Sequence, residues 1–390
     1  MSDAGEIRPL STIAPARYAA FMPPLFDPAD FHLPPGITHV CAGGETATLR
    51  SHDAAMLRYL ADKSSGFPGR ANQEAEVEAA RAGVARLWHV RPDEIGFVSN
   101  VAEGVSIVSE SMDWREGDSI AIDAVEFPSV VGPIAVRRNP AVRLVQARGT
   151  EPDRLVQVAA PGTRIIAASY VSYLTGERTD LRALRQAADR IGALLIVDFT
   201  QASGYLPIEA SLADFGFSAC YKWMLGITGA AIAYWNRARQ PDWAPASAGW
   251  HSFAPGGRGY DVLPPLQPDA MRFTRGNPAH CPIYVLNNAL SYLHHHDPAA
   301  IQRHVQGLTT ALLGQLRDLQ IPTTTPADPA RHGASVCIPS ARAAELEEQL
   351  RAQGVFTWNG QGRVRISFHG YNDERDVDRV VSALRACGPV

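Results

Sequence analysis

The sequence predicts an α/β protein in which a large, doubly wound and mostly parallel sheet domain is followed by a smaller α+β domain. Helical patterns and short apolar runs alternate from about residue 72 to 235, and such runs are typical of parallel strands buried on both faces. Shorter strand and helix patterns alternate near the carboxyl end. We therefore expect an N-terminal segment, 1–35, that packs on the small domain, a large domain at 36–268 and a small domain at 269–390.

The elements of the large domain follow from hydrophobic periodicity and from helix-end signals. Asn72 is a suitable cap for a helix whose buried face would carry Val77, Ala80, Val84, Leu87 and Trp88. A further helix should begin at about Asp180 and end at Gly192. The remaining predictions are an amphipathic stretch at 101–112 and strands at 95–98, 119–122, 142–145, 164–168 and 193–197.

The carboxyl-terminal third follows a segment of different composition. Residues 241–268 are rich in proline and glycine, and a loop of this length is usually functional or mobile. Beyond it, the patterns predict helices at 278–293, 301–319, 341–352 and 372–384, and strands near 335–338, 355–358 and 363–368.

Charge and cysteine content narrow the class of protein. The 390 residues carry a net charge of -4, which leaves no basic surplus for nucleic acid. No apolar run is long enough for a membrane span, and five scattered cysteines are typical of reduced thiols in a cytoplasmic protein. We expect neither a nucleic-acid partner, nor a membrane, nor a metal site.

Three features could carry chemistry at the carboxyl ends of strands, where open α/β sheets bind ligands. Asp198 directly follows an apolar strand, Lys222 follows another apolar stretch, and 99–104 turns from a strand into a helix whose first amides could hold a phosphate. Each alone has an ordinary explanation as a helix cap, a surface lysine or a common turn. No glycine-rich nucleotide fingerprint is present.

Together, these features describe one ligand, an aromatic cation with a phosphate and an aldehyde. That ligand is pyridoxal 5'-phosphate, which a lysine holds as a Schiff base while an aspartate keeps the ring nitrogen protonated. The sequence contains only two lysines, Lys63 and Lys222, so only two lysine amines could form the Schiff base. Lys63 lies in a polar segment, which favours Lys222.

Seven short segments occur in the order found in a known enzyme family. They are NVAE at 100–103, EFPS at 126–129, VSYLTG at 171–176, DFTQ at 198–201, YKW at 221–223, GNP at 276–278 and RISFHGYN at 365–372. The sequence from about Gly43 to Leu384 thus resembles the class V aminotransferases of the fold-type I pyridoxal phosphate enzymes. The resemblance implies that Lys222 carries the cofactor, Asp198 meets its ring nitrogen and Gln201 lies near its hydroxyl.

The resemblance also implies roles for residues around the ring. Phe127 would stack on the cofactor, and Arg365 would bind the substrate carboxylate; otherwise they are a core phenylalanine and a surface arginine. The amides of Val101 and Ala102 would hold the phosphate, since Ala102 replaces a threonine common in the family. Tyr173 and Tyr221 would line the site in place of an asparagine and a histidine.

The same resemblance implies a homodimer with a shared active site. Gly276 and Asn277 match a segment that reaches the phosphate of the partner subunit, and Trp250 would lie over the shared site. Otherwise the segment at 276–278 is an ordinary helix start between domains.

The sequence predicts the cofactor more specifically than it predicts the reaction. Several segments, including the one around Tyr173, resemble kynureninases more than cysteine desulfurases, and residues 354–364 lack the desulfurase cysteine. We expect an enzyme acting at Cα or Cβ of a small amino acid, by transamination or by Cβ cleavage. The alternatives are an epimerase on the same scaffold, a non-catalytic cofactor-binding regulator and a plain nucleotide-binding module.

Overall fold

The fold is seen in a computed structural model that describes residues 21–136, 143–147, 155, 157–158, 162–255 and 264–388. Its strands are β1 (Thr38–His39), β2 (Ile95–Val98), β3 (Ser119–Asp123), β4 (Arg143–Ala147), β5 (Thr163–Ser169), β6 (Leu194–Asp198), β7 (Phe215–Ala219), β8 (Ala231–Trp235), β9 (Ser335–Pro339), β10 (Val355–Phe356), β11 (Trp358–Gly360) and β12 (Arg363–Ser367). Its α-helices are α1 (His52–Ser64), α2 (Gly66–Trp88), α3 (Val101–Glu110), α4 (Pro128–Ala135), α5 (Leu181–Ile191), α6 (His280–His294), α7 (Pro298–Asp318), α8 (Ala343–Ala352) and α9 (Glu374–Ala386). The start of the predicted N-terminal segment and residues 256–263 of the predicted loop lie outside the described residues.

A seven-stranded sheet in the order β2-β8-β7-β6-β5-β3-β4 forms the centre of the molecule. Strand β8 is antiparallel to both of its neighbours, and the other pairs are parallel. Six strands therefore run in one direction and end at one edge, here called the carboxyl edge. This arrangement confirms the predicted mostly parallel α/β sheet.

Helices cover both faces of the sheet. Because side chains alternate along a strand, Leu195 and Val197 of β6 pack in one core with residues of α2, α5 and α6. Ile196 faces the other way, into a second core with residues of α3 and α4. No described helix combines the length and the apolar character needed to cross a membrane.

Helix ends follow local capping signals where a cap is available. The Asp180 carboxylate accepts from the Ala183 amide at 3.0 Å, and Gly192 ends α5 with a φ of 68°, so both predicted ends are confirmed. Asn72 is not a cap, which is a correction. Helix α2 begins at Gly66, where a φ of 66° allows the turn from α1, and the Asn72 amide instead donates to Asp62 of α1.

A smaller sheet lies toward the carboxyl end, in the antiparallel order β11-β12-β9. It packs with α7, α8 and α9 around a third core, whereas α6 packs on α1 and α2. The described end of the N-terminal segment contacts this region, since the amides of Leu25 and Phe26 both donate to the Gly370 carbonyl at 2.8 Å. The exact domain boundaries stay a prediction.

Candidate active site

The carboxyl edge of the sheet gathers predicted site residues from five strands. Asp198 is the last residue of β6, and Lys222 comes three residues after β7. Phe127, Tyr173 and Val101 follow β3, β5 and β2. Neighbouring strands lie about 4.8 Å apart, so residues distant in sequence meet here.

Lys222 is buried, with 6% of its surface exposed. Its Nζ lies 5.5 Å from the ring centroid of Tyr221 and 5.7 Å from that of Phe127. Burial and the nearby Arg365 lower the pKa of Lys222 to about 8, whereas the charge of Asp198 acts to raise it. The amine is therefore much closer to its neutral, nucleophilic form at physiological pH than an exposed lysine.

Asp198 supplies a buried carboxylate at the same edge. Its Oδ1 accepts from the amide of Thr200 at 2.8 Å. Burial raises the pKa of Asp198, while Thr200 and Lys222 act in the opposite direction. An additional cation at this carboxylate would offset the cost of burying its charge.

Arg365 is buried in β12 with one donor unsatisfied. Its Nη1 donates to the carbonyl of Tyr173 at 2.8 Å, and its guanidinium lies 4.4 Å from the ring centroid of Trp358. Among the described residues, Nε has no hydrogen-bond partner. A buried guanidinium N–H without an acceptor is costly, so this atom is well suited to meet a ligand oxygen.

Gly43 closes the site next to these side chains. The Gln201 amide donates to the carbonyl of Gly43 at 2.9 Å. A Cβ on Gly43 would lie 2.6 Å from Ser367 Oγ and 3.1 Å from Arg365 Nε. A side chain here would displace Ser367 and crowd Arg365, so the close approach of the chain at this point helps to set the position of Arg365.

Two rings form a wall beside the lysine. The centroids of Phe127 and Tyr173 are 4.9 Å apart and their planes meet at 80°, an edge-to-face geometry that stabilises aromatic pairs. Phe127 is half-buried rather than an ordinary core residue. This leaves part of its surface available to a planar ligand.

The N-terminus of α3 carries backbone donors suited to an anion. Asn100 caps the helix by accepting from the amide of Glu103 at 2.9 Å, and the first intrahelical bond runs from the amide of Gly104 to the Asn100 carbonyl. The preceding amides, of Val101 and Ala102, have no intrahelical acceptor. They match the phosphate contacts that the sequence predicts.

A second group of predicted site residues consists of Trp250, Gly276 and Asn277. Arg70 Nη1 donates to Asn277 Oδ1 at 2.7 Å, and the Arg70 guanidinium lies 5.7 Å from the Trp250 ring centroid. Trp250 is 62% exposed and Asn277 is also exposed. Within the described part of the chain, no hydrogen bond or ring contact joins these three residues to Lys222.

A comparison with protein families identifies the chain. Residues 49–380 match the family described as Aminotransferase class-V. The chain belongs to this class V family. Family members use pyridoxal 5'-phosphate, which confirms the cofactor predicted from the sequence.

Individual relatives are distant in sequence and are named for several different activities. An uncharacterized aminotransferase of Bacillus subtilis is 24% identical over 80% of this chain and 84% of its own length. A probable cysteine desulfurase of Methanothermobacter thermautotrophicus is 24% identical over 79% of this chain and 83% of its own. Isopenicillin N epimerase of Streptomyces clavuligerus is 26% identical over 79% of this chain and 83% of its own.

Solved structures share the fold. The apo structure of a cysteine desulfurase from Thermococcus onnurineus gives a TM-score of 0.83 at 20% identity, covering 92% of this chain and 96% of that one. The cystine C-S lyase C-DES, in complex with cysteine persulfide, gives 0.82 at 20% identity, covering 91% and 99%. The predicted fold-type I architecture is confirmed.

The residues of this class V chain fit the cofactor on grounds of charge and burial. Lys222 offers a buried amine and Asp198 a buried carboxylate for a ring cation. The helix start at Val101 offers free amides for a phosphate. Each of the three chemical groups of the cofactor thus has a complementary partner at one edge of the sheet.

Three residues contribute to the site although the sequence predicts no role for them. Gly43 lies against Arg365, Trp358 lies beneath it, and Glu126 accepts hydrogen bonds from Phe127 and Ser169. Of these three residues, only the position of Trp358 could be predicted from the sequence. A hairpin turn at Gln361–Gly362, with φ of 51° and 71°, pairs Trp358 with Arg365 on the neighbouring strand.

Proposed function

We propose that the chain is a pyridoxal phosphate-dependent enzyme that acts at Cα or Cβ of a small amino acid, by transamination or by Cβ cleavage. The observation that carries the proposal is the meeting of three buried groups, Lys222, Asp198 and Arg365, in one site. Intact catalytic and carboxylate-binding groups argue against a regulator that only holds the cofactor.

Arg365 is proposed to bind the substrate α-carboxylate. Its planar guanidinium suits a two-pronged contact with a carboxylate, and its unpaired Nε supports this role. The bond from Nη1 to the Tyr173 carbonyl and the Trp358 ring below restrict its orientation. A substrate held this way has little freedom to rotate, which favours reaction at one bond.

Lys222 is proposed to move the proton at Cα. When bound, pyridoxal phosphate supplies an electron sink for a bond broken at Cα. A lysine with a pKa near 8 is a suitable general base, because a catalytic pKa works best near the operating pH. Phe127 and Tyr221, close to Nζ, limit access of water to the amine.

Asp198 is proposed to hold the proton of the ring nitrogen. Its burial leaves little solvent to screen its charge, and the Thr200 amide holds Oδ1 in place at 2.8 Å. A fixed carboxylate would keep the ring nitrogen protonated, and therefore able to draw electrons, without any rearrangement during the reaction.

Thiol chemistry of the desulfurase type is not favoured. Burial raises the pKa of Cys337 to about 11, and Cys337 pairs with Arg365 inside the small sheet. Burial also raises the pKa of Cys41, which lies two residues before Gly43. A nucleophilic cysteine needs a lowered pKa and access, and neither residue has both.

A homodimer with a shared site is part of the proposal. Among the described residues, Trp250 and Asn277 make no hydrogen bond or ring contact with Lys222 of their own chain, which is consistent with delivery to a partner. Leu57, Leu60 and Phe67, at 66%, 56% and 90% exposure, lie on α1 and at the start of α2, close in sequence to Arg70, which contacts both Trp250 and Asn277. Exposed apolar residues of this kind are typical of protein interfaces.

A product screen tests the proposed reaction. Purified holoprotein is incubated with a pool of amino acids, with and without a keto acid, and the products are separated by chiral chromatography and identified by mass spectrometry. Keto acid dependence indicates transamination, ammonia or side-chain fragments indicate cleavage, and a D-amino acid indicates the epimerase alternative. Lys222→Ala should abolish every product, whereas the matched Lys63→Ala should change none; turnover by Lys222→Ala would refute the proposal.

A further inference from the structure

Glu126 connects the ring wall to the central sheet. Its Oε1 accepts from the amide of Phe127 at 2.7 Å and from Ser169 Oγ at 2.5 Å. Its Oε2 accepts from the Ser169 amide at 2.8 Å. One carboxyl group therefore ties Phe127, which borders Lys222, to the last residue of β5.

The same carboxyl lies beside the cofactor-binding aspartate. Ser169 pairs with Asp198 in the register of β5 and β6. Burial raises the pKa of Glu126 to about 7, and the charge of Asp198 acts in the same direction. The other titratable neighbours are Tyr173, after β5, and Asp123, whose carbonyl accepts from the Glu126 amide.

The hydrogen bonds of Glu126 can serve both of its protonation states. When Glu126 is ionised, two backbone amides and the Ser169 hydroxyl all donate to it. When Glu126 is neutral, its own proton can go to Ser169 Oγ, because a hydroxyl both donates and accepts. The group can gain or lose a proton without leaving a buried polar atom unpaired, so a change of charge here leaves the ring wall in place.

We propose that Glu126 is a positioning residue whose ionisation adds a second negative charge beside Asp198 and thereby holds positive charge on Lys222 and on the cofactor ring. The proposal rests on the cofactor, and it is independent of which reaction the site performs. When Glu126 is ionised, its charge favours the protonated forms of the lysine linkage and of the ring nitrogen. When Glu126 is neutral, both groups lose their protons more easily.

Absorbance of the bound cofactor provides the test. The holoprotein is titrated with acid and base while the visible band is followed, and the Glu126→Gln variant is treated identically. Glutamine stays neutral and nearly isosteric; its one carbonyl oxygen can accept from one of the two backbone amides, and its NH2 can donate to Ser169 Oγ. We expect the midpoint of the spectral transition to fall by about half a pH unit or more, because one charge is lost at short range in a poorly solvated site.

The Ser169→Ala variant gives an independent arm. It keeps the carboxyl but removes one donor to the ionised form, so Glu126 should ionise at higher pH and less of its charge should be present at the spectral midpoint. The midpoint should therefore fall in Ser169→Ala as well, but by less than in Glu126→Gln. Shifts in this direction and order support the proposal, and superimposable titrations of all three proteins would overturn it. A wild-type protein that acquires no visible band would instead refute the cofactor assignment.

Discussion

At the scale of single residues, the site consists of charges that water screens poorly. Lys222, Asp198 and Arg365 are all buried, and each would be costly without the others. Burial and Arg365 lower the pKa of Lys222, while Asp198 acts to raise it. The net result is a lysine that is easily deprotonated.

The reactivity of Lys222 should therefore depend on pH near neutrality. Only the neutral amine attacks an aldehyde, and its fraction grows as the pH rises through the pKa of about 8. We expect the rate of pyridoxal phosphate attachment to the apoprotein, followed by absorbance, to rise with pH and level off above that value. A rate that still climbs steeply at about pH 10, as for an exposed lysine, would contradict the burial argument; Lys63→Ala serves as the control.

Arg365 should resist replacement by lysine. A point charge cannot reproduce a two-pronged contact, so Arg365→Lys should reduce kcat/KM for amino acids by about 10²-fold or more, nearly as much as Arg365→Ala. Amines without a carboxylate should be affected far less. The exposed Arg379→Lys on α9 is the matched control, and equal losses for amino acids and simple amines would mean that Arg365 has only a structural role.

At the scale of elements, the contact between α3 and β7 sets the position of the proposed phosphate-binding amides relative to Lys222. Gly104 lies against the ring of Phe217, and a Cβ there would approach ring atoms to 2.3 Å. Lys222 follows β7, and the free amides begin α3. A shift between these two elements would separate the lysine from the phosphate donors.

Gly104→Ala should weaken both folding and cofactor binding. Overpacking at this contact should cost about 1–3 kcal/mol in the free energy of unfolding, and the displaced helix should raise the Kd for the cofactor. Gly132→Ala, in α4, is the control, because nothing lies within 4 Å of its added Cβ and alanine favours helix by about 1 kcal/mol. Denaturant unfolding and cofactor titration measure the two effects; unchanged stability and affinity in Gly104→Ala would disprove the packing argument.

At the scale of the whole molecule, the position of Asn277 bears on whether two subunits share one active site. Its Oδ1 accepts from Arg70, which leaves the Nδ2 donor for another acceptor. In a shared site that acceptor would be the phosphate at the partner's α3. Under this proposal, activity would require the homodimer.

Mixing two inactive variants tests the shared site. Lys222→Ala chains and Asn277→Asp chains are combined under subunit exchange, and activity is measured against each variant alone. A heterodimer would place both defects in one site and leave the other intact, so an equal mixture should recover about a quarter of full activity. Demonstrated heterodimers without recovery would show that Asn277 does not act across the interface.

Local patterns in the sequence determined most of the elements and the identity of the cofactor. The apolar run before Asp198 defines a buried strand, and Asp180 and Gly192 define helix α5, because capping and burial depend on nearby residues. Lys222 and Asp198 could be named because few residue types perform their chemistry. Asn72 was misjudged because the start of α2 is decided by a turn at Gly66 and by packing against α1.

Only the tertiary structure decided which residues share a site and how they are charged. Trp358 lies below Arg365 through strand pairing, and Gly43 meets it from the other end of the chain. Glu126 acquires its altered pKa from burial beside Asp198, 72 residues away in sequence. Burial and long-range charge depend on contacts between distant segments, and a sequence pattern does not contain those contacts.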